Sequence, residues 1–237
     1  MKLTYLYNSG FVIEGERFML ILDFFQDVEE GMVPQKITSF PGAVYVLSTH
    51  WHPDHFNPEV MRWRKSRPDI RYILSKDIVK RRIWMNFSDV TSLAKGQVYE
   101  DDTVRVQAFG STDVGGSFLI EAEGKRIFHA GDLNFWHWSE VSTPKEIQVC
   151  ERHFLKEVAL LAETTMQLDL AMFPVDPRQG KDYMLGAQMF VDRIHTDVFV
   201  PMHFGNDYGK IETFRNYAQA AGCRFIGWQA KGETIEF

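Results

Sequence analysis

Four side chains of types that bind metal ions, His50, His52, Asp54 and His55, fall within six residues, in Leu-Ser-Thr-His-Trp-His-Pro-Asp-His-Phe-Asn-Pro at 47–58. No other stretch restricts the fold so tightly, because the surrounding chain has to hold these groups in one place. The apolar run 43–47 reads as a buried strand, and Asn57-Pro58 reads as a helix start with Asn as N-cap. The four groups therefore sit on a loop at a strand end, where α/β proteins commonly carry function, and Pro53 stiffens that loop. In extended backbone, side chains 50, 52 and 54 share one face, and His55 joins them only if the chain turns. Such a loop can serve two ions rather than one. A surface loop merely rich in histidine would need neither this spacing nor the flanking strand and helix.

Around it, alternation predicts strands over 3–7, 10–14 and 19–24, the last ending near Asp23. Residues 26–41 lack periodicity and carry Gly31 and Pro34, so they read as a connection bordering the site. Helix 58–65, strand 70–74 and a short helix 76–84 capped by Ser75 then alternate. A strand-rich half follows at 98–109, 117–121 and 125–130, with Glu123-Gly124 as a hairpin turn. Spaced apolar positions predict a long helix over 144–165, then strand 170–175, helix 182–195, strand 198–202, helix 210–221 and strands 224–228 and 234–237. No linker or repeat interrupts the series, so 237 residues read as one domain, 1–237, of the α/β class with a mixed sheet.

Hydrophobic residues at 45% suffice for a substantial core. A net charge of −6 argues against a broad nucleic-acid-binding face. Arg62, Arg64, Lys65 and Arg67 form a local basic group that reads as the solvated face of a helix. Two distant cysteines, Cys150 and Cys223, fit neither a disulfide framework nor a cysteine-rich zinc site. With no apolar signal core at the start and no run of ~20 apolar residues, the expectation is a reduced, cytoplasmic protein acting on a small molecule, without membrane or nucleic acid. Oligomeric state is not legible.

His50-Trp51-His52-Pro53-Asp54-His55 resembles the His-X-His-X-Asp-His signature of the metallo-β-lactamase-fold superfamily. Later landmarks come in that family's order: Gly110-Ser111-Thr112, Gly131-Asp132 after a strand, and Pro201-Met202-His203 after another. Within it, the chain looks most like small bacterial hydrolases related to the ascorbate-lactone hydrolases. The resemblance implies a four-layer αββα sandwich of two mixed sheets flanked by helices. It also implies a second metal site of Asp54, His55, His203 and a bridging Asp132, and a first site of His50, His52 and Asp132. Where the family carries another histidine, this chain has Ser111, so Asp113 or a water has to fill the gap, or the first ion binds weakly.

The ligand set suits zinc, with manganese or iron as alternatives. Divalent ions lower the pKa of bound water toward ~7, which would let a metal-bound hydroxide cleave a small ester, lactone or phosphodiester, with Asp54 or Asp132 moving the proton. A di-iron redox protein of the same fold and a non-catalytic metal-binding protein with a degraded first site are the rivals. His137, in Phe135-Trp136-His137-Trp138, follows Asp132 closely enough to line a pocket, although the aromatic run equally reads as core. His129 reads either as a hydrogen-bonder behind the site or as a core histidine. Asp176 and Arg178 end a strand and reach either the substrate or only each other. His153 and His195 read as surface residues on helices.

Overall fold

The computed structural model describes residues 1–82 and 85–237. Two sheets of seven strands pack face to face. The first runs in the order β14 (Thr234–Glu236), β1 (Lys2–Tyr7), β2 (Gly10–Glu14), β3 (Phe18–Leu22), β4 (Ala43–Ser48), β5 (Arg71–Ser75), β6 (Val90–Leu93). The second runs in the order β13 (Arg224–Phe225), β12 (His195–Met202), β11 (Gln167–Pro174), β10 (Lys125–His129), β9 (Ser117–Ala122), β8 (Val104–Phe109), β7 (Val98–Glu100). Each sheet is antiparallel on one side and parallel on the other, with β3 to β6 parallel in the first and β10 to β13 parallel in the second.

Alternation within the apolar runs divides the strands between two faces. Phe11, Ile13, Leu20, Leu22, Tyr45, Leu47 and Ile73 join the core between the sheets. Their neighbours Val12, Met19, Ile21, Val44, Val46, Tyr72 and Leu74 pack outward with Val33 and Ile37 of α1 (Met32–Ser39) and Ile78 of α2 (Lys76–Arg81). Strands buried on both faces read as continuous hydrophobic runs for this reason. Helix α3 (Pro144–Thr164) starts with a capping box between Thr143 and Glu146 and buries Phe154, Val158 and Leu161. With α4 (Leu185–Val191), α5 (Tyr208–Ile211) and α6 (Arg215–Ala220), it covers the second sheet. The result is the αββα sandwich, the metallo-β-lactamase fold.

Several local expectations need correction. The connection 26–41 contains α1: Gly31 takes φ 82 at its N-cap, and Pro34 lies in the first turn, where backbone N–H groups have no intrahelical acceptor. Asp27 Oδ2 accepts from Val33 N at 2.9 Å and holds that turn from outside. Residues Pro58–Lys65 form a 3₁₀ rather than an α-helix, although Asn57 caps it through Glu59 N as expected. The stretch 98–109 is a hairpin, because Asp101 Oδ1 accepts from Thr103 N and Val104 N and reverses the chain. His195 begins β12 instead of lying on a helix. Ser75 precedes α2 without a side-chain cap, and positions 83 and 84 of the expected helix 76–84 lie outside the described residues. Arg67 is spent on the carbonyls of Ile37, Phe40 and Gly42 and on Asp69. Among the described residues, no helix is long and apolar enough to cross a membrane.

Candidate metal centre

Five acidic or imidazole groups leave the C-terminal ends of parallel-side strands at one edge of the sandwich: Asp23 after β3, His50 after β4, Asp132 after β10, Asp176 after β11 and His203 after β12. Carboxyl ends of parallel strands are where open α/β sheets form ligand crevices. The turn 51–56 then closes on itself, with His55 N and Phe56 N both donating to His52 O, which swings His55 inward to join His50. Their rings lie 4.0 Å apart between centroids.

Asp132 stands between two donor sets. Its Oδ2 is 3.3 Å from His50 Nε2, and its Oδ1 is 3.1 Å from His55 Nε2 and 3.3 Å from His203 Nε2. Around the first oxygen, His52 Nδ1 is 3.0 Å from His50 Nε2 and 3.6 Å from Asp113 Oδ2. Around the second, Asp54 Oδ2 is 3.6 Å from both His55 Nε2 and His203 Nε2. Ligands at 2.0–2.1 Å in a tetrahedron stand about 3.3 to 3.4 Å from one another. The observed separations straddle that value, so both sets have the size for a divalent ion. His50, His52, Asp113 and Asp132 form one group able to hold an ion, and Asp54, His55 and His203 form another.

The hydrogen-bond pattern supports the same fit. His55 Nδ1 donates to Asp23 Oδ2 at 2.7 Å, which leaves the Nε2 lone pair of a neutral ring facing Asp132 Oδ1. Both atoms are buried without a hydrogen-bond partner. Two buried acceptors facing each other need a cation between them, either a proton or a metal ion.

Asp23 orients more than one ligand. It accepts from Thr49 N at 2.7 Å and Thr49 Oγ1 at 2.6 Å, and Thr49 Oγ1 in turn lies 3.1 Å from His50 Nδ1. His50 and His55 are thereby aimed by one buried carboxylate, the usual arrangement behind metal-binding imidazoles. Burial alone would raise the Asp23 pKa, but the neighbouring His129 and His55 lower it. Asp176, fully buried, plays the corresponding part for His203 by accepting from Nδ1 at 3.1 Å. Asn8 Nδ2 donates to Asp54 Oδ2 at 3.0 Å, and the Asn8 carbonyl accepts from His203 N at 3.1 Å.

Positive φ marks the same neighbourhood. Asn8 (55°), Asp23 (41°), Trp138 (41°) and His203 (63°) are non-glycine residues in the left-handed region. Such conformations cost on the order of 1 to 3 kcal/mol each and cluster at functional sites. Gly131 at φ 53° permits the approach of Asp132, since a Cβ there would sit 2.7 Å from Gly116 O and 2.9 Å from Thr49 Oγ1. His129 fixes this turn from below, accepting from Gly131 N at 3.2 Å while its Nε2 donates to Ser9 O at 2.9 Å.

Charge in the ion-free protein follows from this crowding. Burial pushes the His203 pKa down, but Asp132, with hydrogen bonds to Asp176 and Asp54, brings it up to about 9. Burial likewise opposes the charge of His55, yet Asp132 and Asp23 hold its pKa well above the usual histidine value. Asp132 and Asp54 are held below the carboxylate range, because the imidazoles of His203 and His55 outweigh desolvation.

The cleft over these groups measures about 410 Å³ and is lined by His52, Asp113, Trp136, Trp138 and Arg178 together with the ligand candidates. Among the weaker expectations, Asp113 approaches the first set, whereas Ser111 Oγ is turned back to accept from Asp113 N at 3.3 Å. His137 points away from the cleft: its Nε2 lies 3.1 Å from Asp182 O, and its Nδ1 accepts from Ser139 N. The flanking indoles line the cleft instead. Asp176 lies beneath His203 rather than in the cleft, and Arg178 lines it. Asp23, Thr49 and Asn8 escaped the sequence reading. An aspartate ending an apolar strand was the available signal for Asp23; the other two had none.

The model for the beta-lactamase superfamily domain matches residues 2–146. This chain belongs to that family. The superfamily match takes in Asp23, the 50–55 loop, Asp113 and Asp132, while Asp176 and His203 lie in the remainder. Relatives extend into it. A UPF0173 metal-dependent hydrolase of Alkaliphilus metalliredigens is 25% identical over 223 residues, covering 86% of this chain and 85% of its own. In structure, the chain is similar to Igni18, a metallo hydrolase of the archaeon Ignicoccus hospitalis, at TM-score 0.70 and 19% identity, over 100% of this chain and 98% of that one. It also matches CmlA β-hydroxylase at TM-score 0.65 and 14% identity, over 100% of this chain and 54% of that one. A hydrolase and a hydroxylase share this fold, so the fold by itself does not choose the reaction.

Proposed function

We propose that this superfamily member is a metal-dependent hydrolase with two adjacent divalent-ion sites, which cleaves a small ester, lactone or phosphodiester. The observation that carries this reading is Asp132, whose two oxygens face two separate donor sets. His50, His52, Asp113 and Asp132 would hold one ion, and Asp54, His55, His203 and Asp132 the other. Bound there, divalent ions polarise a substrate oxygen and make water nucleophilic at neutral pH.

The chain's own groups supply orientation and proton transfer. Asn8 pins one oxygen of Asp54, and the half-exposed carboxylate borders the cleft, where it is placed to orient a water and pass on its proton. Asp23 and Asp176 keep the ligand nitrogens of His55 and His203 turned toward Asp132. Residues 1–237 act as one unit in this scheme, since Asp54 and His203 come from opposite sheets.

Zinc is the first expectation. Two carboxylates and two imidazoles in each set also suit manganese or iron, and this favours the redox reading as the alternative. Asp113 in the first set argues against a degraded, non-catalytic site. The test is elemental analysis of the purified protein with turnover of an ester, lactone and phosphodiester panel before and after exhaustive chelation. Two equivalents of ion and turnover lost on chelation support the proposal; full turnover after chelation refutes it.

A further inference from the structure

Arg178 is the one lysine or arginine among the described residues lining the metal cleft, and it is fixed there. Its Nε lies 2.9 and 3.0 Å from the two oxygens of Asp176, and its Nη2 lies 2.6 Å from Oδ2. The fork uses one edge of the guanidinium, and among the described residues Nη1 has no hydrogen-bond partner. The side chain remains 65% exposed although its partner is fully buried. Nη2 also lies 3.2 Å from His203 Nδ1, so the guanidinium stands one imidazole ring from the Asp54–Asp132–His203 cluster.

Two hollows meet at this residue. The metal cleft and a second cavity of about 420 Å³, lined by Tyr7, Phe25, Phe204 and Asn206 among others, share Asp54, Arg178 and His203. The room on both sides exceeds what a small acid such as acetate would fill. In the same cleft as the arginine, Trp136 is pinned by its Nε1 donating to Asp132 O at 2.8 Å, and Trp138 stacks on it at 6.0 Å with an interplanar angle of 11°. Trp138 stays 36% exposed and holds φ at 41°. A large apolar ring kept open in a strained backbone, in a cleft that also holds a guanidinium, is a recognition surface rather than core.

We propose that the substrate is an anion with a flat apolar part, its carboxylate or phosphate oxygen held by Nη1 of Arg178 and its apolar face against Trp138. This rests on the hydrolase reading and names the substrate class for that cleft. Arg suits the task because its planar fork can satisfy Asp176 on one edge and an oxyanion on the other, which a lysine ammonium cannot do with the same geometry.

The test compares phenyl acetate with 4-carboxyphenyl acetate on metal-loaded wild type, Arg178→Met, Arg178→Lys and Trp138→Ala. A charge-assisted contact predicts that the kcat/KM ratio of the anionic to the neutral ester falls about 10- to 100-fold in Arg178→Met, with Arg178→Lys intermediate. Trp138→Ala should raise KM for both esters and leave the ratio unaltered. Were Arg178 only a brace for Asp176 and His203, both esters would lose rate together and the ratio would hold, which overturns the anion site. Unchanged KM for both esters in Trp138→Ala overturns the aromatic half.

Equilibrium binding of benzoate and of benzyl alcohol, followed by tryptophan fluorescence, needs no turnover. If the wild type hydrolyses neither ester, the hydrolase reading is in question, while benzoate binding still tests Arg178. Benzoate should bind at least tenfold more weakly to Arg178→Met with benzyl alcohol unchanged; equal benzoate affinity in the two proteins overturns the proposal.

Discussion

Replacing Asp113 with alanine removes one donor from the His50 set and none from the Asp54, His55 and His203 set. Four-ligand structural zinc sites bind with about 10 to 16 kcal/mol, or roughly 2.5 to 4 kcal/mol per ligand. Asp113 is 44% exposed at the cleft rim, so water can take its place and recover part of that. The net loss should be about 1.5 to 3 kcal/mol, a roughly 10- to 150-fold weaker first ion with the second unaffected. Competition against a chromophoric chelator measures this directly, as two classes of ion in the wild type and one shifted class in the variant. Ser111→His alone should add little, because Asp113 already stands at the set, whereas in the Asp113→Ala background it should recover affinity if the loop aims residue 111 inward. Asp132→Ala should lose both equivalents and His50→Ala only the first, since Asp132 faces both sets. If Asp113→Ala keeps both ions at wild-type affinity, Asp113 is not a ligand and the four-donor reading of the first site is wrong.

Two further outcomes follow from the same geometry. Gly131→Ala forces a Cβ to 2.7 Å from the Gly116 carbonyl at φ 53°, which should cost roughly 3 kcal/mol and lower Tm by about 6 to 12 °C in thermal denaturation. An unchanged Tm would mean that the turn relaxes freely. In the ion-free protein, His203 with its pKa near 9 stabilises the fold fully below the unfolded value of about 6.5, and this stability declines as pH rises through 9. An ion needs the ring nitrogen deprotonated, so loading at pH 7.5 should release protons, seen as a dependence of the calorimetric heat on buffer ionisation enthalpy. No buffer dependence would show that His203 and His55 are already neutral.

The sequence determined most of what is local. The 50–55 spacing and the apolar runs on either side sufficed for an α/β class with a mixed sheet and for His50, His52, Asp54 and His55, because strand periodicity and ligand type are written in consecutive residues, whereas the αββα sandwich and the parts of Asp132 and His203 came from the resemblance to the superfamily. Tertiary structure decided what depends on distant groups meeting. Gly31 and Pro34 looked like breakers, yet α1 forms because Val33 and Ile37 find the outer face of the first sheet and Asp27 holds the first turn. Whether Asp113, a water or nothing makes up for Ser111 was open in the sequence; the loop after β8 turns the serine back on its own backbone and the carboxylate toward His52. His137 and its two tryptophans could not be separated by pattern, and the chain's path sends the imidazole to Asp182 and the indoles to the cleft. Asp23 is the clearest case. It ends an ordinary strand, and only the pairing of β3 with β4 brings its carboxylate within reach of Thr49 and, through the turn at 52–56, of His55. A ligand's identity is carried by its own residue, whereas its aim is set by neighbours across the sheet that no local pattern records.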